Sequence, residues 1–119
     1  LDIGWDTLQI PVNILDYHYR SFQKQLIPQA EEKGIGVIGM KSLASGRIFN
    51  TDLSVEEAIS YCLSLPILTL VSGIDSMQVL EQNLTIVENF KPATEEELYS
   101  LRTRFEPEAY KGQHEYYKH

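Results

Sequence analysis

Cysteine is nearly absent from the sequence: the one thiol, Cys62, cannot form an intrachain disulfide, so the fold must rest on its core. With Ile59, Tyr61, Leu63 and Leu65 around it, Cys62 reads as a small buried hydrophobe rather than a nucleophile. Cationic charge is scarce as well. Ten Lys and Arg face seventeen Asp and Glu, a formal net charge of -7, and residues 51–90 hold six acidic side chains without one Lys or Arg. That balance argues against a nucleic-acid partner, whose phosphates need cations. No apolar run approaches the roughly 20 residues that span a bilayer, and the first residues are not a basic stretch followed by an apolar one. A soluble, cytoplasmic chain without a membrane partner is expected. Metal-ligand spacings and Ser-His-Asp or Cys-His sets are missing too, so no metal site is expected. His18, between Tyr17 and Tyr19, has no assignable carboxylate partner and is taken as a packed or solvated loop residue rather than a general acid.

What is present is a globular composition, 43% hydrophobic over 119 residues, enough for one modest core. Residues 8–15 (LQIPVNIL) form a mostly apolar, β-branched run that predicts a buried parallel strand, with Pro11 marking an irregularity or a strand end. Phe22, Leu26, Ile27 and Ala30 recur at helical spacing, and Lys33-Gly34 supplies a basic last turn and a C-cap glycine, so a helix is predicted over about 21–33. Residues 35–40 (IGVIGM) follow as a second strand and residues 42–52 as a loop. Ser54 and Glu57 make a capping box for a helix that carries Ala58, Ile59, Cys62 and Leu63 until Pro66 stops it. A third strand, residues 67–71 (ILTLV), leads into a helix opened by residues 75–78, with Val79, Leu80, Leu84 and Val87 as its apolar stripe. Thr94 to Glu97 caps one more short helix, and the last residues (YKGQHEYYKH) look frayed or ordered only on contact.

Strand and helix alternate three times, which predicts an α/β fold with a parallel sheet and right-handed crossovers. Three strands leave two open edges, so something else should complete the sheet. The start at Leu1 rather than at methionine is read as a sign that an upstream part is missing. In parallel α/β folds ligands gather at the carboxyl ends of strands. There the run KSLASGR (residues 41–47) brings amides, two hydroxyls and two cations suited to a pyrophosphate, though an ordinary surface loop would look the same. The run SGIDS (residues 72–76) enters a helix N-terminus, where either an anion or a capping Asp75 or Ser76 can settle.

Together the segments LQIPVNILD, GIGVIGMKSLASGRI and LTLVSGIDSMQVLEQNL closely resemble the last three strand and helix units of aldo-keto reductases. The resemblance covers nearly the whole chain, and the tail EAYKGQHEYYKH resembles the C-terminal end of a bacterial branch. It implies that residues 1–119 are the C-terminal portion of a TIM (β/α)8 barrel: a partial barrel of three parallel βα units plus a short C-terminal helix. It further implies an enzyme that uses NADPH or NADH, without a metal, to reduce small aldehydes and ketones by hydride transfer. By the resemblance Gln9 holds the nicotinamide carboxamide and Met40 packs where many relatives stack an aromatic ring. Lys41, Ser42, Leu43 and Gly46 lie along the ribose and pyrophosphate, and Gly73, Asp75, Val79, Gln82 and Asn83 surround the adenosine end. A carboxylate at Asp75 would repel a 2'-phosphate and accept from a ribose hydroxyl, which favours NADH, with Lys41 or Arg47 as the cations able to compensate.

The family's catalytic Asp, Tyr, Lys and His belong to earlier barrel units, so no catalytic residue is assigned, and Tyr17, His18 and Tyr19 are not substitutes. The chain alone is then expected to be inactive. Three arrangements follow: a truncated reductase, a natural partial barrel that self-associates through its sheet edges with at most weak nucleotide affinity, or a half completed in trans by another polypeptide.

Overall fold

The computed structural model describes residues 4–119 and has three parallel strands with helices packed against them. Strand β1 (Thr7–Pro11) pairs with β2 (Gly36–Met40), and β2 with β3 (Thr69–Leu70), in the order β1-β2-β3. Gln9 stands opposite Ile38, Pro11 opposite Met40, and Gly39 opposite both Ile10 and Leu70. The central position of β2 explains its glycine. A Cβ on Gly39 would lie 2.5 Å from Val12 Cγ2, 3.1 Å from Leu70 Cδ1 and 3.2 Å from Ile67 Cδ1, so only a hydrogen lets the flanking segments close over the middle strand.

Two strands are shorter than expected. The run over residues 8–15 stops being a strand at Pro11; Val12 N–H still donates to Met40 O at 2.8 Å, but Asn13 Oδ1 then accepts from the Leu15 and Asp16 amides, both at 3.0 Å, and turns the chain out of the sheet. In residues 67–71 the regular strand is only Thr69–Leu70, although Leu68 and Val71 donate to Val37 O and Gly39 O on the β2 side, each at 2.8 Å.

The helix expected over 21–33 is two, α1 (Phe22–Gln25) and α2 (Ile27–Lys33), because Pro28 has no N–H for the carbonyl one turn earlier and restarts the helix. Ser21 caps the first by accepting from Lys24 N–H, and Gly34 ends the second at φ 68°, the left-handed value that glycine adopts without penalty. Helix α3 (Val55–Leu63) carries the expected capping box and buries Ala58, Ile59, Tyr61 and Cys62. Burial pushes the Cys62 thiol above its ordinary pKa, with Asp16 adding to the shift, and Sγ reaches Val12 O at 3.3 Å; the thiol is part of the core.

Helix α4 (Met77–Glu88) is capped by Ser76, but only part of its expected stripe is covered: Val79 and Leu80 are half-buried, Leu84 and Val87 are about half exposed, and Ile86 is the buried residue of the helix. Helix α5 (Glu95–Ala109) corrects the expectation of a short last helix, being the longest of the five α-helices among the described residues at 15 residues. Its polar sequence hides a sparse stripe of Leu98, Phe105 and Ala109 that packs on the core, and Pro107 near its end removes one donor without stopping it. Of the two forms expected for the tail, the structure has the one ordered on contact. Glu115 and Lys118 are buried against residues 13–20.

Candidate functional site

The carboxyl ends of β2 and β3 run into two loops that face each other. Lys41, Ser42, Leu43, Ser45 and Gly46 from the first oppose Val71, Ser72 and Gly73 from the second across a cleft of about 250 Å3. A hollow of about 560 Å3 adjoins it, lined by Leu43, Phe49, Gly73, Ile74, Asp75 and Val79, with Leu43 and Gly73 shared between the two linings. The structure thus brings together Lys41, Ser42, Leu43, Gly46, Gly73, Asp75 and Val79 of the residues singled out in the sequence.

The rest lie around it. Gln9 Nε2 donates to Met40 Sδ at 3.4 Å, so these two are paired across β1 and β2 just before the first loop begins. Asn83 Nδ2 donates to Ser72 Oγ at 3.0 Å and lines a separate pocket of about 260 Å3 with Ile59, Leu68 and Val87; it touches the cleft through Ser72 alone. Gln82 is not brought to the cleft. It shares a helix face with Gln78 one turn back, and both line a groove against Ser54, Val55 and Glu56 at the start of α3.

The first loop is tightly wound. Among the described residues four non-glycine residues have positive φ, and three of them, Lys41 (57°), Ala44 (49°) and Ser45 (57°), are here, followed by Gly46 at 85°. Side chains other than glycine, Asn and Asp seldom adopt these angles without help from surrounding contacts. The Ala44 and Gly46 amides donate inward to Lys41 O (2.8 Å) and Leu43 O (2.9 Å), so they close turns instead of pointing at a ligand. The cation and hydroxyl remain at the opening: Lys41 Nζ donates to Ser45 Oγ at 3.2 Å and lies 5.3 Å from the centre of the Tyr117 ring, while Ser42 is buried. At the second loop Ser76 supplies the cap of α4, its Oγ accepting from Val79 N–H at 3.2 Å, so Asp75 is not the capping residue and lies exposed on the hollow.

A buried polar cluster linked to the first loop through Asn13 was not legible in the sequence. Lys118 Nζ is 2.8 Å from Asp16 Oδ1 and 2.8 Å from Glu115 Oε2, with all three side chains almost wholly buried. It also donates to Tyr19 O at 2.6 Å. Tyr117 Oη donates to Glu115 Oε2 at 2.9 Å and accepts from Asn13 Nδ2 at 3.0 Å, and the same amide donates to Lys41 O at 3.1 Å. Burial raises the Glu115 carboxyl above the usual carboxylate range, against the opposing pull of Lys118 and Tyr117, and burial followed by the Glu115 charge raises the Tyr117 hydroxyl. Nothing local announces this cluster, because Asp16 and Lys118 stand 102 residues apart. His18 is the packed residue expected: its Nε2 is 2.7 Å from Arg102 O, and its ring meets that of Tyr17 edge-on at 5.4 Å. No group of three or more His, Cys, Asp or Glu side chains able to hold a metal occurs among the described residues, and none of their helices is long and apolar enough to cross a membrane.

Among solved structures the chain is similar to aldo-keto reductase AKR11C1 from Bacillus halodurans. Against its holo form the TM-score is 0.66 at 21% identity, covering 92% of this chain and 45% of that one. Against the apo form the TM-score is 0.69 at 20% identity, covering 96% of this chain and 48% of that one. The chain therefore spans about half the length of the structures it matches. Its α/β arrangement is that of part of an aldo-keto reductase barrel. No protein-family model matches the sequence, and comparison with curated proteins finds no match.

Proposed function

We propose that this chain is the C-terminal, cofactor-face portion of an NAD(P)H-dependent aldo-keto reductase, inactive by itself because the catalytic Asp, Tyr, Lys and His lie in barrel units it does not contain. The observation that carries the reading is the pair of adjoining hollows at the ends of β2 and β3, which together gather seven residues selected from sequence for cofactor contact. The two have the size of an ordinary small-molecule site, roughly 300–1,000 Å3 in all. Their lining suits an elongated dinucleotide, with a cation and hydroxyl at one end, Lys41 and Ser45, and a carboxylate at the other, Asp75.

When bound, the dinucleotide supplies the hydride for reduction of a small aldehyde or ketone. The residues of this chain bind and orient it. Gln9 presents an amide to the nicotinamide carboxamide beside the Met40 thioether, Lys41 and Ser45 meet the pyrophosphate, and Leu43 and Val79 exclude water along the cleft. Asp75 accepts from an adenosine ribose hydroxyl and disfavours a 2'-phosphate, so NADH is the favoured cofactor. Asn83 acts through Ser72, and Gln82 drops out of the contact set because its side chain lines another groove.

The partner that completes the fold is the set of N-terminal barrel units. A second reading, self-association of this chain, is favoured by one observation: the outer edges of β1 and β3 pair with no other strand among the described residues, and Leu68 beside β3 is 74% exposed. Calorimetric titration with NADH and NADPH, with the mass in solution measured alongside, tests the proposal. Binding with NADH preferred is expected. A folded chain that binds neither nucleotide would remove the cofactor assignment.

A further inference from the structure

The C-terminal tail and the cleft loop are joined by a chain of bonds that the cofactor reading does not use. The loop begins at Lys41 with φ 57°, an angle that a lysine holds only when its surroundings impose it. Beside the turn bond from Ala44 N–H, Asn13 holds the carbonyl of that lysine. Its Oδ1 is fixed by the Leu15 and Asp16 amides, and its Nδ2 donates both to Lys41 O at 3.1 Å and to Tyr117 Oη at 3.0 Å. Tyr117 in turn donates to Glu115, whose partner Lys118 is locked to Asp16, so the far end of the linkage is anchored in the core. The ring of the same tyrosine lies 5.3 Å from Lys41 Nζ, which holds the side chain of Lys41 as Asn13 holds its backbone.

We infer that the C-terminal tail is a strap that sets the shape of the cleft loop, with Tyr117 and Asn13 as positioning residues that keep Lys41 turned toward the cleft. The inference rests on the proposed function only for what the loop binds; the mechanical link stands on its own. Tail and loop are far apart in sequence, so a change at residue 117 should be felt at residues 41–48 and not in the helices between them.

Amide hydrogen exchange of the whole chain reads this directly. Asn13→Ser keeps a hydroxyl for the Leu15 and Asp16 amides but withdraws the donor from Lys41 O, and Tyr117→Leu removes both the hydroxyl and the ring. Either change should speed exchange of the Ala44, Gly46 and Ile48 amides roughly tenfold while α3 and α4 exchange as before, because loosening is local. Tyr117→Phe, which retains the ring, should fall between wild type and Tyr117→Leu. Unchanged exchange in the loop, or an equal rise everywhere, would overturn the strap. If Tyr117→Leu does not fold, Asn13→Ser decides the matter. A second readout separates this from the functional reading: where wild type binds NADH, Asn13→Ser should weaken NADH several-fold but leave adenosine, which lacks the pyrophosphate that Lys41 meets, unaffected. Wild type that binds neither ligand would dismiss the cofactor and leave the exchange result to judge the strap alone.

Discussion

Two buried carboxylates share one buried ammonium at Asp16, Glu115 and Lys118, and the consequences are decided by which charge is removed. Lys118→Met would leave two acids facing each other without a counter-charge, and chemical denaturation should show a loss of about 3–5 kcal/mol. Glu115 behaves differently, since burial raises its pKa and its Oε1 has no hydrogen-bond partner among the described residues. A carboxyl that is harder to ionise in the fold than in the unfolded chain holds its proton to higher pH when folded. Its contribution to stability is complete below the unfolded pKa and is lost as pH rises through the folded one. Glu115→Gln should therefore flatten the stability profile from the ordinary carboxylate range upward; an unaltered slope in urea titrations across that range would assign the pH dependence elsewhere. In the cleft, Asp75→Ser should raise affinity for NADPH relative to NADH, and an unchanged ratio by calorimetry would take Asp75 out of the adenosine subsite.

At the level of elements, the features legible in the sequence are those set by neighbours along the chain. Ser54 with Glu57 and Thr94 with Glu97 form the capping boxes their spacing announces, and Gly34 takes the left-handed cap. Ser54→Ala should cost about 1 kcal/mol in thermal or chemical unfolding, the usual worth of such a cap. Boundaries governed by packing were not legible. The length of α5 depends on Phe105 and Ala109 finding the core beyond a run of charged residues, whereas β1 ends at Pro11, the proline marked in the sequence, and Asn13 turns the chain locally by accepting from the amides two and three residues on. Gly39 marks where the sheet is tightest. Gly39→Ala would press its methyl on Val12, Leu70 and Ile67 and should destabilise by about 1–3 kcal/mol, checked by the same unfolding measurements.

The molecule as a whole presents a sheet that ends at β1 on one side and β3 on the other, beside exposed Leu68 and Val71 and, on α4, Leu84 and Val87. Sedimentation of the isolated chain should show a mass that grows with concentration, and Leu68→Lys, which charges the β3 edge, should return it toward the monomer. A mass independent of concentration in both would mean that these edges are protected some other way. The alternation of strand and helix, the parallel sheet, the helix caps and the two loops of the cleft were determined by the sequence alone, because periodicity, turn residues and capping act over a few residues. Tertiary structure alone decided that Gln82 faces away from the cleft while Asn83 reaches Ser72. It alone decided that a polar tail becomes a buried anchor. Those outcomes depend on the rotation of one helix against its neighbours and on a lysine meeting carboxylates that include one 102 residues away, relations that exist only once the core has brought the chain together.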